Sequence, residues 1–318
     1  MNVDRPVIMV GTRASPLALS QTQIVVSLLK RNNGRKNLDF KIRKFKTEGD
    51  RALERPKSRA SSNYTGKDSF TKSIDAALEC GEIDIAVHSL KDVPLENSNS
   101  KIEIAAFPKR ESPFDVLITR RSGETFATLR KNARIGTSSI RRAVQLRASR
   151  PDLEIVTLHG NVQTRIKKLQ SSTLDAIVLA KAGIKRLGLD IGEILPKEIM
   201  LPAVGQGCLA IAVRKNDAFT KKIVSKIDAA DTRCAVTAER AFSKELGGGC
   251  NFPIAALATI KRTSPRKLFL DGLVESDGPE GVKNSNFVVR MQVAGSPEDA
   301  EYLGKKLARQ LKKFIGGK

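Results

Sequence analysis

The chain has little aromatic character: no tryptophan, two tyrosines and 4% aromatic residues in all among 318. Proteins that hold single-stranded nucleic acid stack its bases on aromatic side chains. Phe70 and Phe242 stand apart rather than in an RNA-recognition pattern, so no specific nucleic acid is expected as a partner. Histidine is scarce as well. The two present are not paired near any of Cys80, Cys208, Cys234 and Cys250, and none of these cysteines forms a C-x-x-C pair. That spacing predicts neither a zinc site nor a redox motif, and no metal is expected. No run approaches the roughly 20 apolar residues that cross a bilayer. The first residues pass into a strand-like VIMV without a basic leader or cleavage site, which reads as a cytoplasmic chain with no secretory signal and no membrane partner.

Positive charge, by contrast, is in excess. Lys and Arg number 56 against 34 Asp and Glu, a formal net charge of +22. An excess of this size implies an acidic partner such as nucleic acid, an anionic membrane, or a substrate rich in carboxylates or phosphates. Part of it is solvated surface, as in the C-terminal KKLARQLKKF.

Up to about Leu201 short apolar runs alternate with helical patterns, the mark of α/β architecture. Val7–Val10 reads as a strand, followed by GTRAS and a helix carrying Leu17, Ile24, Val25, Leu28 and Leu29. Ser15 is placed to cap that helix, with Pro16 at its first position. Ile83–Val87 reads as a buried strand ending at His88-Ser89. A second block repeats the scheme, since VGTRAS and IDIAV recur in the same order as IGTSSI and LDAIV. The expected fold is therefore two similar α/β domains, like those of periplasmic binding proteins, around a cleft, plus a smaller C-terminal α+β domain. The boundaries fall at 1–110 with 203–226, at 113–201 and at 229–318. In the last of these a helix around Ala238–Leu246 precedes strands at Ala255–Ile260, Lys267–Leu273 and Phe287–Val293.

Both GT turns, GTRAS and GTSS, lie where a strand meets a helix N-terminus, the usual anion site of such sheets. Arg13 and Ser15 stand in the first; Ser138, Ser139, Arg141 and Arg142 crowd the second. Arg165 and Arg186 follow in segments able to line the same cleft. Guanidiniums, hydroxyls and backbone N–H groups together suit carboxylate or phosphate. One such turn alone is more simply a helix cap with its arginine in solvent, but two at matching places favour an anion cleft. The segment His88–Pro94 leaves a buried strand, and its Lys91-Asp92 is either a surface ion pair of small value or, at the mouth of the cleft, the lone carboxylate among cations. In the second case Asp92 can steady a developing positive charge or shuttle a proton. Cys250, in LGGGCNFP, sits where three glycines let the backbone turn tightly and leave the sulfur accessible. A buried structural cysteine is the ordinary alternative.

Seven segments, GTRASPLALSQT (11–22), DIAVHSLKDVP (84–94), GTSSIRR (136–142), GNVQTR (160–165), AGIKRLGL (182–189), LPAVGQG (201–207) and LGGGCNFPI (246–254), together resemble the porphobilinogen deaminase (hydroxymethylbilane synthase) family along essentially the whole chain. The resemblance implies a cytoplasmic, monomeric transferase of tetrapyrrole (haem-type) biosynthesis. It would join four porphobilinogen molecules head to tail with loss of ammonia and release hydroxymethylbilane by hydrolysis. It implies a dipyrromethane cofactor on Cys250 through a thioether. Asp92 would be the catalytic carboxylate, contacting pyrrole N–H groups and stabilising the azafulvene cation left as ammonia departs. Arg13, Ser15, Lys91, Ser139, Arg141, Arg142, Arg165 and Arg186 would bind acetate and propionate groups of the cofactor and the growing polypyrrole chain. Ser89, Thr137, Asn161 and Gln206 would help seat cofactor or substrate. Lys67 and Phe70 would belong to a mobile segment near the active site. This sequence departs from the family pattern at His159, where an arginine is usual, at Asp68 in the otherwise glycine-rich Thr65–Phe70, at Ser73, and in the basic stretch Arg55–Arg59. His159 stands next to Gly160-Asn161 and would contact substrate. A two-domain small-anion-binding protein without catalysis is the alternative reading, and a basic nucleic-acid-binding protein a second.

Overall fold

A computed structural model describes residues 6–34, 38–46, 71–95, 101–248, 253–276 and 287–315. Lys67, Phe70, Asp68 and Cys250 lie outside the described residues. The chain divides into two compact units, Met1–Arg110 with Cys208–Arg233, and Glu111–Gly207 with Cys234–Lys318.

The first unit is built on strands β1 (Val7–Arg13), β2 (Asp39–Phe45), β3 (Ile85–Ser89) and β4 (Ile102–Ala106), joined by a strand from later in the chain, β10 (Leu209–Arg214). Their order is β2-β1-β3-β10-β4. The first three run parallel, and β10 is antiparallel to both β3 and β4. Alternation along the strands splits the core into two faces. Ile8, Val10, Ile85, Val87, Ile211 and Val213 pack with Val25 and Leu29 of helix α1 (Pro16–Asn32). Ala86 and Ala212 face Ile74 and Leu78 of helix α2 (Lys72–Glu79). Helix α1 starts as expected, with Pro16 in its first turn and the Ser15 hydroxyl accepting from the Ala18 N–H at 3.3 Å. Ile24 is on its solvent side, 39% exposed.

The second unit repeats the scheme. Strands β5 (Asp115–Thr119), β6 (Arg134–Gly136), β7 (Glu154–Val156), β8 (Ala176–Ala180) and β9 (Glu193–Ile194) lie in the order β7-β6-β8-β5-β9. Here too three neighbours are parallel and the fourth is antiparallel to both strands beside it. Leu146 of α3 (Ile140–Ser149) packs with Leu117, Ile135 and Val178. Leu169 of α4 (Val162–Ser171) and Ile184 of α5 (Lys181–Arg186) pack with Val116, Ile118 and Ile177. The repeat seen in the sequence therefore has a structural meaning: β1 and β6 hold equivalent places, as do β3 and β8. The glycine of each GT turn has a steric reason. A Cβ at Gly11 would run into Ile83, and one at Gly136 would meet Leu174 at 2.8 Å and Leu158 at 2.9 Å. Only glycine lets the layer above the sheet close at these points.

The same unit contains a three-stranded antiparallel sheet, β11 (Ile254–Lys261), β12 (Lys267–Ser276) and β13 (Phe287–Gly295). Helices α7 (Ala230–Glu245) and α8 (Ala300–Lys312) cover one face, where Phe242, Leu268, Leu270, Leu303 and Leu307 form the core. Helix α7 begins earlier than its apolar pattern suggests because Ala235 and Val236 are also buried. Between β10 and α7 runs a short helix, α6 (Ala218–Val224), whose Ile223 and Val224 join the first unit's core.

Candidate active-site residues

In the first unit the candidate residues gather at one end of the sheet. Strands β1 and β3 are parallel neighbours, with Gly11 level with Ala86, so Arg13 and Ser89 end their strands on the same edge. Ser15 follows as the cap of α1. The chain leaves β3 through a single 3-10 turn, Leu90–Asp92. Hydrogen bonds hold that turn on both sides. The Leu90 N–H donates to the Cys208 carbonyl at 3.0 Å and the Val93 N–H to the Leu90 carbonyl at 3.1 Å. Just before it, the Ser89 hydroxyl meets the Gln21 carboxamide of α1 at 2.9 Å. Leu90 is fully buried, which leaves Lys91 and Asp92 half-buried at the rim. A turn held in this way fixes the place of the Asp92 carboxylate.

In the second unit the carboxyl ends of β6, β7 and β8 likewise share an edge. Thr137, buried, accepts from the Ser139 N–H at 3.1 Å, and Ser139 occupies the cap position of α3 without a side-chain cap bond. Arg141 and Arg142 then turn inward. Their side chains are 8% and 7% exposed and both reach Asp115, which is 0% exposed, at the start of β5. Arg141 Nη2 lies 2.8 Å from Oδ2, and Arg142 Nη2 and Nε lie 2.7 and 3.2 Å from Oδ1. Arg141 Nη1 also donates to the Leu201 carbonyl at 2.7 Å and Arg142 Nη1 to the Val178 carbonyl at 2.9 Å. The LPAVGQG segment is clasped to this cluster at both ends. Gln145 of α3 bonds both peptide groups of Leu201, at 2.7 and 3.0 Å, and Gln206 Nε2 donates to the Pro113 carbonyl and to Asp115 Oδ1 at 2.6 and 3.1 Å. Arg186 Nη2 donates to the Gly207 carbonyl at 2.7 Å.

Asn161 caps α4, accepting from the Thr164 N–H at 2.8 Å, and Arg165 Nε donates to the Gly160 carbonyl at 2.8 Å. His159 is exposed, its Nδ1 3.4 Å from the Ser138 hydroxyl. Several residues read from the sequence as ligand contacts thus also carry helix caps or peptide bonds.

Electrostatically the second cluster is lopsided. Burial would raise the Asp115 carboxyl, but the adjoining guanidiniums of Arg141 and Arg142 outweigh it and hold it down at about 2. Burial, and then the charge of Arg142, lowers Arg165 to about 10. Burial is also the main cause of a lowered Arg141, opposed by Asp115. Two guanidiniums therefore share the Asp115 carboxylate while the third, Arg165, adds its charge beside Arg142, and the helix N-terminus beside Arg141 and Arg142 adds further positive potential. Such an arrangement is complementary to an anion with more than one carboxylate. It also fixes the acid behaviour. A depressed carboxyl contributes stability in full above its unfolded value near 4, and that contribution is lost as pH falls through about 2. Glu111, Asp175 and Asp217 shift the same way. Urea denaturation should show a plateau above about pH 4.5 and falling stability down to pH 2; an unchanged midpoint over that range would contradict the pairing.

Asp115 is the member of this cluster that sequence reading misses. A signal existed: it heads an otherwise apolar strand, DVLIT, and a buried carboxylate in such a run needs a cationic partner.

The second unit thus sets guanidiniums in excess over the carboxylate they bond at the ends of parallel strands, an α/β arrangement chemically suited to anions. Comparisons carry this further. Residues 8–222 match the family model described as porphobilinogen deaminase, dipyromethane cofactor binding domain, and residues 233–313 match porphobilinogen deaminase, C-terminal domain. Porphobilinogen deaminase of Syntrophomonas wolfei is 44% identical over 95% of this chain and 94% of its own length. That of Syntrophus aciditrophicus is 42% identical over the same shares. Among solved structures, the periplasmic VFT2 domain of BvgS from Bordetella pertussis is similar at 18% identity over 70% of this chain and 87% of that one, with a TM-score of 0.39. The chain belongs to the porphobilinogen deaminase family.

Proposed function

We propose that the protein condenses four porphobilinogen molecules head to tail, releasing ammonia at each step, and frees the linear tetrapyrrole hydroxymethylbilane by hydrolysis. The observation that carries this reading is the guanidinium excess of Arg141, Arg142 and Arg165 over Asp115. Each pyrrole brings two carboxylates, so an extended six-ring chain presents about twelve, each needing a charged or polar partner. The same donor set fits a dipyrromethane group. Residues 1–110 with 203–226 carry Asp92 and Arg13, 113–201 carry Arg141, Arg142, Arg165 and Arg186, and 229–318 carry Cys250, whose sulfur would hold the cofactor as a thioether. When bound, that group supplies the nucleophilic pyrrole carbon to which the first substrate is joined.

The chain's own residues do the rest. Arg13, Lys67, Phe70, Arg165, Arg186 and His159 form the substrate-binding set, the cationic members taking the carboxylates. Ser15, Ser89, Lys91, Thr137, Ser139, Arg141, Arg142, Asn161 and Gln206 seat the cofactor, and Arg141 and Arg142 also hold acetate and propionate groups of incoming porphobilinogen and the growing chain. Asp92 accepts pyrrole N–H bonds, and its negative charge lowers the energy of the substrate cation formed as the C–N bond to ammonia breaks. It also takes up the proton lost when the ring regains aromaticity. Among the described residues no helix is long and apolar enough to cross a membrane; the working form in this reading is a cytoplasmic monomer. The test is incubation of the protein with porphobilinogen while ammonia and released tetrapyrrole are measured. Four ammonia per tetrapyrrole support the reading. Binding without ammonia release returns it to a non-catalytic anion-binding protein.

His159→Arg would place a permanent, bidentate cation at this position. KM for porphobilinogen should then fall, and an unchanged KM would remove His159 from the binding set.

A further inference from the structure

Asp115 has more bonds than a structural ion pair requires. Its Oδ1 accepts from Arg142 Nη2, Arg142 Nε and Gln206 Nε2, and its Oδ2 accepts from Arg141 Nη2. Four N–H groups from three side chains, two on α3 and one on the LPAVGQG segment, converge on one enclosed carboxylate. Arg141 and Arg142 are sequence neighbours at a helix N-terminus, where mutual repulsion and the helix dipole both drive guanidiniums outward. A buried counter-charge is what turns them inward. The bonds to Asp115, Leu201 and Val178 occupy one N–H on each Nη and the Nε–H of Arg142. The remaining Nη hydrogens have their direction set by those bonds, because a guanidinium is planar and rigid.

We propose that Asp115 is a positioning residue that orients Arg141 and Arg142 and so determines where an anionic pyrrole side chain can be held. This rests on the reading of these two arginines as part of the carboxylate-binding set. The carboxylate touches neither substrate nor cofactor; it acts through the two guanidiniums. It also couples them to Gln206, so that the return segment and the arginines share one anchor.

Two electrostatic expectations oppose each other, which makes the proposal decidable. If only net charge mattered, Asp115→Asn would add positive potential and tighten anion binding. If orientation matters, the amide cannot satisfy both arginines. With Asn Oδ1 facing Arg142 and Gln206, its Nδ2 would face the Arg141 donor, and Arg141 would be released.

The experiment compares the full chain with Asp115→Asn and Asp115→Glu. Kinetic constants for porphobilinogen are normalised to folded protein, and exchange of arginine side-chain Nε–H groups is followed by NMR. The Arg142 resonance is identified by its loss in Arg142→Lys. Expected is a KM at least about tenfold higher in Asp115→Asn with kcat within about threefold, the pattern of lost ground-state binding. Asp115→Glu, which keeps the charge but moves it, should fall between. The Arg142 Nε–H should exchange at least about ten times more slowly than that of an exposed arginine such as Arg121, whose side chain is 77% exposed, and lose this protection in Asp115→Asn. A lower or unchanged KM, with activity lost only in proportion to folded protein, overturns the proposal. Should neither variant fold, the exchange rate in the unmodified protein decides: protection at Arg142 upholds the orientation, and exchange as fast as at Arg121 overturns it. Failure of the unmodified protein to consume porphobilinogen would instead defeat the proposed activity, and the exchange measurement separates the two.

Discussion

Asp92→Asn lowers the rate of ammonia release from porphobilinogen by at least two orders of magnitude and leaves the fold unchanged. The expected size follows from the role. A positioned carboxylate that stabilises developing positive charge, or moves a proton, contributes on the order of 10² to 10⁴ in rate. The unchanged fold follows from the structure. The turn that carries Asp92 is held by the Leu90 N–H, the Leu90 carbonyl and the Ser89–Gln21 contact, none of which involves the Asp92 side chain. Asparagine keeps the shape and removes the charge, so substrate carboxylates remain bound and KM moves little while kcat collapses. Stopped-flow measurement of ammonia release together with thermal unfolding gives both readouts. A loss smaller than about tenfold would transfer the catalytic role to another group.

The second large effect is at Cys250. The intact protein purified with its cofactor should weigh more than the sequence by two linked pyrroles, and Cys250→Ser should show the bare sequence mass and no turnover. Serine cannot replace the thiol here, because the thiolate is by far the better nucleophile for forming the link at neutral pH. The arginine cluster of the second unit survives in this variant, so porphobilinogen should still bind. Mass spectrometry before and after incubation with porphobilinogen tests the attachment directly. A Cys250→Ser protein that retains the added mass would place the link at another residue. An unmodified chain that stays unmodified after incubation would mean that the family's chemistry has been lost here.

Much of this was open to reading because the signals are local. Ser15-Pro16 announces the start of α1, and the observed cap is the one expected. The apolar runs at 255–260, 267–273 and 287–293 become β11, β12 and β13. The recurrence of VGTRAS as IGTSSI marks two sheets of the same strand order, and the glycine common to both is explained by the side chains a Cβ would strike. Other assignments carried a second duty that spacing could not show. Asn161 caps α4, Ser89 meets Gln21, and Gln206 bonds Pro113 and Asp115.

By itself the sequence determined the architecture and the excess of cationic groups, since periodicity, caps and composition depend only on residues near one another in the chain. It singled out Arg141 and Arg142 but left them facing either solvent or a cleft. Tertiary structure turned them inward onto Asp115. Asp115 is 26 and 27 positions from the two arginines and 91 from Gln206. These groups meet only because β5 inserts beside β8 against its neighbour's direction. A buried charge finds its partner through strand order, and strand order is a property of the whole folded sheet.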